Sequence, residues 1–253
     1  MRIPRIFVDA SAIDLPSKHV ALDDPAVRNQ LLNVLRMRDG AYLDILDGRG
    51  TIYRCTLIAS DRQRCHAVIE SSQPAGGEAS IKVIVALPVI KSARFEWAIE
   101  KLTELGAAEI IAMETERSMR AGDREAKESK LKRWQAIAKE ASQQCERALI
   151  PDVVAAQPFA TTLDLLRQRG DRILIAAERK DARTLLALLA NSDRNDTVAS
   201  LAVLIGPEGG FTEDEFKMAE DAGAEPIALG KRILRSETAA IYAASLITGC
   251  LDK

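Results

Sequence analysis

The chain has 253 residues, 47% hydrophobic and 28% charged, with 35 Lys or Arg set against 37 Asp or Glu for a net charge of −2. That balance fills one large core or two modest ones, and it excludes both a chain kept unfolded by its charge and one held on nucleic acid by bulk basicity; any RNA or DNA site is a local patch. Two histidines, His19 and His66, exclude a His-rich metal centre, and four cysteines without a CxxC pair (Cys55, Cys65, Cys145, Cys250) read as reduced thiols.

The opening residues Met1-Arg2-Ile3-Pro4-Arg5-Ile6-Phe7 carry charges among only a few apolar residues, so no secretory segment can be drawn and a cytoplasmic location is expected. Residues 25–36 read as a short helix with Leu31, Leu32 and Leu35 on one face. Three alternating stretches, 42–46, 51–58 and 65–69, predict strands, and Asp47-Gly48-Arg49-Gly50 marks a hairpin between the first two. A small β-rich domain follows from this pattern. Ser71-Ser72-Gln73-Pro74-Ala75-Gly76-Gly77 has the composition of a linker. The predicted domains are therefore 1–73 and 74–253.

Beyond the linker, apolar runs at 81–89, 110–113, 173–177, 198–205 and 226–229 lack strict alternation, as strands do when helices cover both sheet faces. Phe95, Ile99, Leu102 and Leu105 define one face of a helix that Gly106 ends, and Thr212-Glu213-Asp214-Glu215 is a capping-box pattern opening another helix. This half is expected to be α/β with a largely parallel sheet. The longest uncharged run, 238–251, has 14 residues, against the roughly 20 a membrane helix needs. No membrane span is expected.

The stretch Leu204-Ile205-Gly206-Pro207-Glu208-Gly209-Gly210-Phe211 joins a buried strand to a capped helix, at the end of an α/β sheet where ligands bind. Its three glycines let a flat ligand approach the backbone, yet it has neither a Walker loop nor a GxGxxG fingerprint. The residues alone leave an ordinary strand–helix turn standing beside a ligand site. In Leu229-Gly230-Lys231-Arg232-Ile233-Leu234-Arg235-Ser236-Glu237-Thr238-Ala239-Ala240, two Arg and a Glu gather at the start of the last helix, where Glu237 suits the positive helix end. A solvated, capped helix start is the plain alternative. The segment from Lys91 through Ser92, Ala93 and Arg94 to Gly106 and the stretch Gln143-Gln144-Cys145-Glu146-Arg147 read as structural.

Residues 1–76 carry nine Arg but only Lys18 among lysines, against nine Asp or Glu. Arg suits planar, bidentate contact with phosphates and bases, which makes Arg2, Arg5, Arg36 and Arg38 candidates for RNA binding. Surface pairing with Asp23, Asp24, Asp39 and Asp44 accounts for them equally well.

Taken in order, the opening residues, Val34-Leu35-Arg36-Met37, Asp47-Gly48, Glu104-Leu105-Gly106, Glu116-Arg117-Ser118, LIGPEGGF at 204–211 and LGKRILRSETA at 229–239 resemble the ribosomal RNA small subunit methyltransferase E family almost from end to end. The resemblance implies a PUA-like RNA-binding β-barrel followed by a SPOUT-type α/β methyltransferase domain with a C-terminal trefoil knot. It implies S-adenosyl-L-methionine as cofactor, bound by loops carried over to Ala176-Ala177-Glu178, to Ile205, Gly206, Pro207, Gly209 and Gly210, and to Leu229, Gly230, Ile233, Leu234 and Arg235. Gly206 and Leu229 would read the adenine edge, with Ile233 and Leu234 as apolar contacts. The implied reaction is methylation of a uridine at N3 in 16S ribosomal RNA of the small ribosomal subunit by a homodimer, without a metal. Arg235 would stabilise charge on the uracil oxygens, while Glu237 or Glu208 would accept the proton or orient Arg235. Lys231, Ser92-Ala93 and Gln143 depart from the family pattern. Two readings of other kinds stand beside this one: a non-catalytic RNA-binding or ribosome-assembly protein, and a metabolic α/β enzyme. Within the methyltransferase reading, another base or a ribose 2′-hydroxyl is the alternative acceptor.

Overall fold

The computed structural model describes residues 3–59, 65–78, 81–177, 182–190 and 199–251. The chain divides into two compact units, Met1–Glu78 with Ser142–Ile150, and Ala79–Ala141 with Pro151–Lys253.

The first unit holds β1 (Arg5–Phe7), β2 (Ile13–Asp14), β3 (His19–Ala21), α1 (Pro25–Arg28), β4 (Tyr42–Leu46), β5 (Thr51–Ala59) and β6 (Cys65–Pro74). Its six-stranded sheet runs β1-β4-β5-β6-β3-β2, with β1 parallel to β4 and the other pairs antiparallel. The hairpin forms where Asp47-Gly48-Arg49-Gly50 predicts it. Asp47 Oδ1 accepts from the Arg49 and Thr51 N–H groups at 2.8 and 3.1 Å, and Gly48 and Gly50 take φ of 72° and 97°. Ser71, Ser72, Gln73 and Pro74 are strand, not linker: a bulge between Arg54 and Cys55 resets the register and pairs them with Arg54 back to Thr51. Residues 70–74 are exposed, so this end of β6 carries polar side chains and its composition mimics a loop.

Asp24 caps α1, its Oδ1 accepting from the Ala26 N–H at 2.7 Å, with Pro25 at the first helical position. The expected helix then widens into π-type turns over Asn29–Val34. Leu35 N–H reaches back five residues to Gln30 O at 2.8 Å. That widening breaks the predicted face: Leu31 is fully buried, whereas Leu35 is 41% exposed. Leu31 packs with Val20, Leu43, Ile45, Leu57 and Ala67 in the core of this unit. The returning segment 142–150 completes a second cluster, in which Ala148 packs with Phe7, Leu46 and Ile52. Arg147 Nη2 meets Glu78 Oε2 at 2.7 Å, and Gln143 Nε2 donates to Arg5 O at 3.0 Å.

Cys55 lies wholly inside this unit, and burial, helped by the negative charges of Asp44 and Glu70, pushes its thiol up to about 12. The thiolate is the reactive form. Native protein alkylated at pH 8 should therefore carry no label on Cys55, and denatured protein should carry it fully; mass spectrometry of the peptides reads the difference.

The second unit builds on β7 (Lys82–Pro88), α2 (Ser92–Glu104), β8 (Glu109–Glu114), α3 (Arg124–Gln144), β9 (Asp152–Pro158), α4 (Phe159–Arg169), β10 (Arg172–Ala176), β11 (Arg183–Thr184), α5 (Leu185–Ala190), β12 (Ser200–Leu204), α6 (Glu213–Asp221), β13 (Glu225–Ala228) and α7 (Ser236–Leu251). The seven strands run β11-β13-β10-β12-β7-β8-β9, and every pairing is parallel. All five apolar runs appear as strands, while β9 and β11, at the two edges, escape the pattern. Alternate residues Ile84, Ala86, Ile111, Met113, Ile173, Ile175, Ala202 and Leu204 pack with Phe159 and Leu163 of α4 and Phe216 of α6. Residues on the other face, including Val83, Val85, Leu87 and Leu174, are fully buried as well, and α7 packs on β7 and α2. Both faces are covered, as the unbroken apolar runs require. Among the described residues no helix is long and apolar enough to cross a membrane.

Candidate functional site

The sheet order sets β13, β10 and β12 side by side and parallel, so the segments that follow them leave from the same carboxyl end of the sheet. Together they enclose a cavity of about 720 Å³, within the range of small-molecule sites. It lies wholly within the second unit.

The wall after β12 is built by capping. Thr212 is the N-cap of α6: its Oγ1 accepts from the Glu215 N–H at 3.2 Å, and Glu215 Oε2 accepts from the Thr212 N–H at 3.0 Å. Phe211 before the cap and Phe216 after it sit at the positions of a hydrophobic staple, and both join the same core cluster. They also line the cavity. Gly206 lets the aromatic ring pack close to the main chain here: a Cβ would stand 3.2 Å from Phe211 Cδ2 and would push the ring back.

The facing wall is the loop after β13. Ser236 Oγ, at the first position of α7, donates to Gly206 O at 2.7 Å and fastens the two loops to each other. Gly230 takes φ of 116°, and a Cβ there would find nothing within 4 Å. Among the described residues, the N–H groups of residues 230–234 make no backbone–backbone hydrogen bond. These same five residues line the cavity.

The cavity gathers most of the expected cofactor contacts: Ala176, Ala177, Ile205, Gly206, Gly209, Gly210, Leu229, Gly230, Ile233 and Leu234, together with Glu208. Pro207 and Arg235 do not line it, and Glu178 lies outside the described residues. Lys231, Arg232, Thr212, Glu213 and Ser236 line it as well, although the sequence does not mark them for it. For Thr212 and Glu213 a signal is present in the Thr-x-x-Glu pattern, which places the cap beside the glycines.

Of the carboxylates, Glu208 lines the cavity and Glu237 does not. Neither pairs with Arg235. Arg94, at the start of α2, takes both: its Nη1 lies 2.6 Å from Glu208 Oε1 and its Nε lies 3.7 Å from Glu237 Oε1. Glu237 is 6% exposed, and its Oε2 is buried without a hydrogen-bond partner among the described residues. In the sequence Arg94 reads as helix dressing; its partners are 114 and 143 positions away, and no local pattern joins them.

In the first unit the Arg candidates part company. Arg5 Nη1 donates to Glu146 O at 2.9 Å, and its Nε lies 3.9 Å from Asp44, which also holds Arg54. Arg36 and Arg38 are exposed and make no ion pair among the described residues; Arg36 has φ of 51°, in a surface turn that leaves Val34 68% exposed. Arg2 lies outside the described residues. Among the described residues no group of three or more His, Cys, Asp or Glu is placed to hold a metal ion.

A parallel sheet ending in a glycine-walled cavity, carried on a chain with a separate β unit, defines a class. The family profile described as RNA methyltransferase domain matches residues 77–248, and that described as RNA methyltransferase PUA domain matches 31–70. The relative named ribosomal RNA small subunit methyltransferase E from Bacillus subtilis is 32% identical over 221 residues, 87% of this chain and 86% of its own length. The protein of the same name from Synechocystis is 32% identical over 222 residues, 88% of this chain and 70% of its own. The crystal structure of a ribosomal RNA small subunit methyltransferase E from Neisseria gonorrhoeae bound to S-adenosyl methionine superposes with a TM-score of 0.83 at 26% identity, covering 98% of each chain. The chain belongs to the ribosomal RNA small subunit methyltransferase E family.

Proposed function

We propose that the protein transfers a methyl group from S-adenosylmethionine to N3 of a uridine in 16S ribosomal RNA of the small ribosomal subunit, in the cytoplasm. The observation that carries this reading is the cavity of about 720 Å³ built by the loops after three adjacent strands, in a chain of this family. The lining suits the cofactor chemically. Apolar Ile205, Leu229 and Leu234 and the main chain of residues 230–234 fit an adenine, and Lys231, Arg232 and Glu213 match the two charges of an amino-acid end. When bound, S-adenosylmethionine supplies a methyl group already activated on a sulfonium.

The chain itself then has three tasks. The main chain of Gly206 and Leu229 holds the adenine edge. Glu208, a carboxylate on the cavity wall, accepts the N3 proton, and Arg94 holds Glu208 in place. Arg235 meets the negative charge that spreads onto the uracil oxygens. Glu237, enclosed behind Arg94, anchors that guanidinium. The knot expected for the family agrees with a strand order in which the last strand, β13, lies between β10 and β11.

Arg36 and Arg38 form the RNA-contacting tip of the first unit. The double variant Arg36→Glu, Arg38→Glu should weaken binding to small subunits and reduce the slope of log K against log salt by about one for each phosphate that these two arginines neutralise. An unchanged slope would remove this tip from the interface. In this reading the homodimer packs through α7, a choice supported by Tyr242, which stays 41% exposed while the inward side of the helix buries Ala240, Ala243, Ala244 and Ile247. Tyr242→Glu should convert a dimer to a monomer in sedimentation experiments.

The deciding experiment is mass spectrometry of ribosomal RNA nucleosides from cells lacking the protein, with calorimetry of the purified chain against S-adenosylmethionine. Loss of 3-methyluridine and saturable binding are expected. Loss of a different methylated nucleoside would move the acceptor, and no binding would sink the enzyme reading.

A further inference from the structure

The Gly209–Gly210 peptide is flanked by two residues without a Cβ, so nothing in its own side chains opposes a flip of the peptide plane. Both of its polar groups are nevertheless held. The Gly210 N–H donates to Pro207 O at 2.8 Å, inside the turn. The Gly209 carbonyl accepts from Arg117 Nη1 at 2.7 Å, from outside it. Arg117 also fills the space a side chain would need, because a Cβ on Gly209 would meet Arg117 Cδ at 3.2 Å and Cβ at 3.6 Å.

Arg117 comes from the loop after β8, and β7 separates β8 from β12 in the sheet, so this loop must be brought across. One carboxylate does it. Glu215, 8% exposed, commits Oε2 to the Thr212 cap and Oε1 to the Glu116 N–H at 2.7 Å. Ser118 Oγ accepts from the Thr115 N–H at 2.9 Å, and the Met119 N–H donates to Val89 O at 3.1 Å, which closes the loop on both sides of Arg117.

We propose that Arg117, seated by Glu215, is a positioning residue that fixes the Gly209–Gly210 peptide and thereby sets the affinity of the cavity for S-adenosylmethionine. The inference rests on the reading of the cavity given above. A turn held in its binding form before the ligand arrives loses no affinity to the ordering step, whereas a turn that populates the flipped form nine-tenths of the time binds about tenfold more weakly.

The test uses the full chain, as wild type, Arg117→Met and Arg117→Lys. Calorimetry with S-adenosylmethionine, the thermal midpoint, and hydrogen exchange at the Gly210 amide without cofactor are measured on each. Arg117→Met should bind about tenfold more weakly, exchange faster at Gly210 and keep the wild-type midpoint. Arg117→Lys, which can still donate one bond to Gly209 O, should recover part of both. Wild-type affinity with unchanged exchange in Arg117→Met would overturn the proposal, as would a loss of affinity that only tracks a lowered midpoint. If wild type itself fails to bind, the reading of the cavity falls, while the exchange measurement still decides whether Arg117 locks the peptide.

Discussion

Replacing Arg235 by alanine is expected to lower the rate of methyl transfer to small subunits by about 10²–10³-fold, the usual loss on removing one group that meets charge developing in a transition state. Affinity for S-adenosylmethionine should stay within about twofold of wild type. The split follows from where the side chain stands. Arg235 is the last residue before α7, it is exposed, it does not line the cavity, and it has no ion-pair partner among the described residues. Its carbonyl is engaged, accepting from the Ala239 N–H at 2.8 Å, so the backbone is anchored while the side chain is open to solvent. Arg235→Lys keeps a charge but not the planar fork and should fall between the two. Single-turnover rates with excess enzyme, set beside calorimetry, measure both quantities. A wild-type rate in Arg235→Ala would remove the residue from the chemistry, and weaker cofactor binding would make it a wall of the cavity instead.

The second large effect is on stability. Arg94→Met leaves Glu237 enclosed, having lost its one ion-pair partner and carrying an oxygen without a hydrogen bond among the described residues. Glu237 is nearly buried but the Arg94 side chain is 32% exposed, so losing Arg94 costs less than breaking a fully buried pair, about 1–2 kcal/mol, because the remaining carboxylate stays largely desolvated. Glu237→Gln placed in the Arg94→Met background takes that charge away and should return most of the loss. Urea midpoints of wild type, both single variants and the double variant form the cycle. If the double variant is no more stable than Arg94→Met alone, the enclosed charge is not the cause. Methyl transfer should remain slow in the double variant even where stability returns, since Glu208 has lost the guanidinium 2.6 Å away.

What could be read ahead of the structure follows the range of each signal. The five apolar runs and the Thr212 capping box act within a few residues, and both survive folding unchanged. The glycines at 206–210 mark a close approach but do not say to what; Phe211, five positions from Gly206, and Arg117, 92 positions from Gly209, supply the answer. Arg5 is the converse case. It has the right chemistry for a phosphate, yet Glu146 and Asp44 already engage it, and only tertiary contacts separate it from Arg36 and Arg38. Residues 71–74 misread because solvent exposure, not backbone conformation, chose their polar side chains. The π-type turns over Asn29–Val34 misread for another reason: apolar spacing assumes a helical repeat of 3.6 residues, and there the repeat is longer.

The return of residues 142–150 to the first unit means that its sequence is written in two instalments. A gene fragment ending at Glu78 would encode every strand of that sheet but neither Ala148, which packs on Phe7 and Ile52, nor Arg147, the partner of Glu78 itself. Such a fragment would present an apolar gap and an orphaned carboxylate to water. Transplanting this module onto another enzyme would require grafting a distant nine-residue insert along with it.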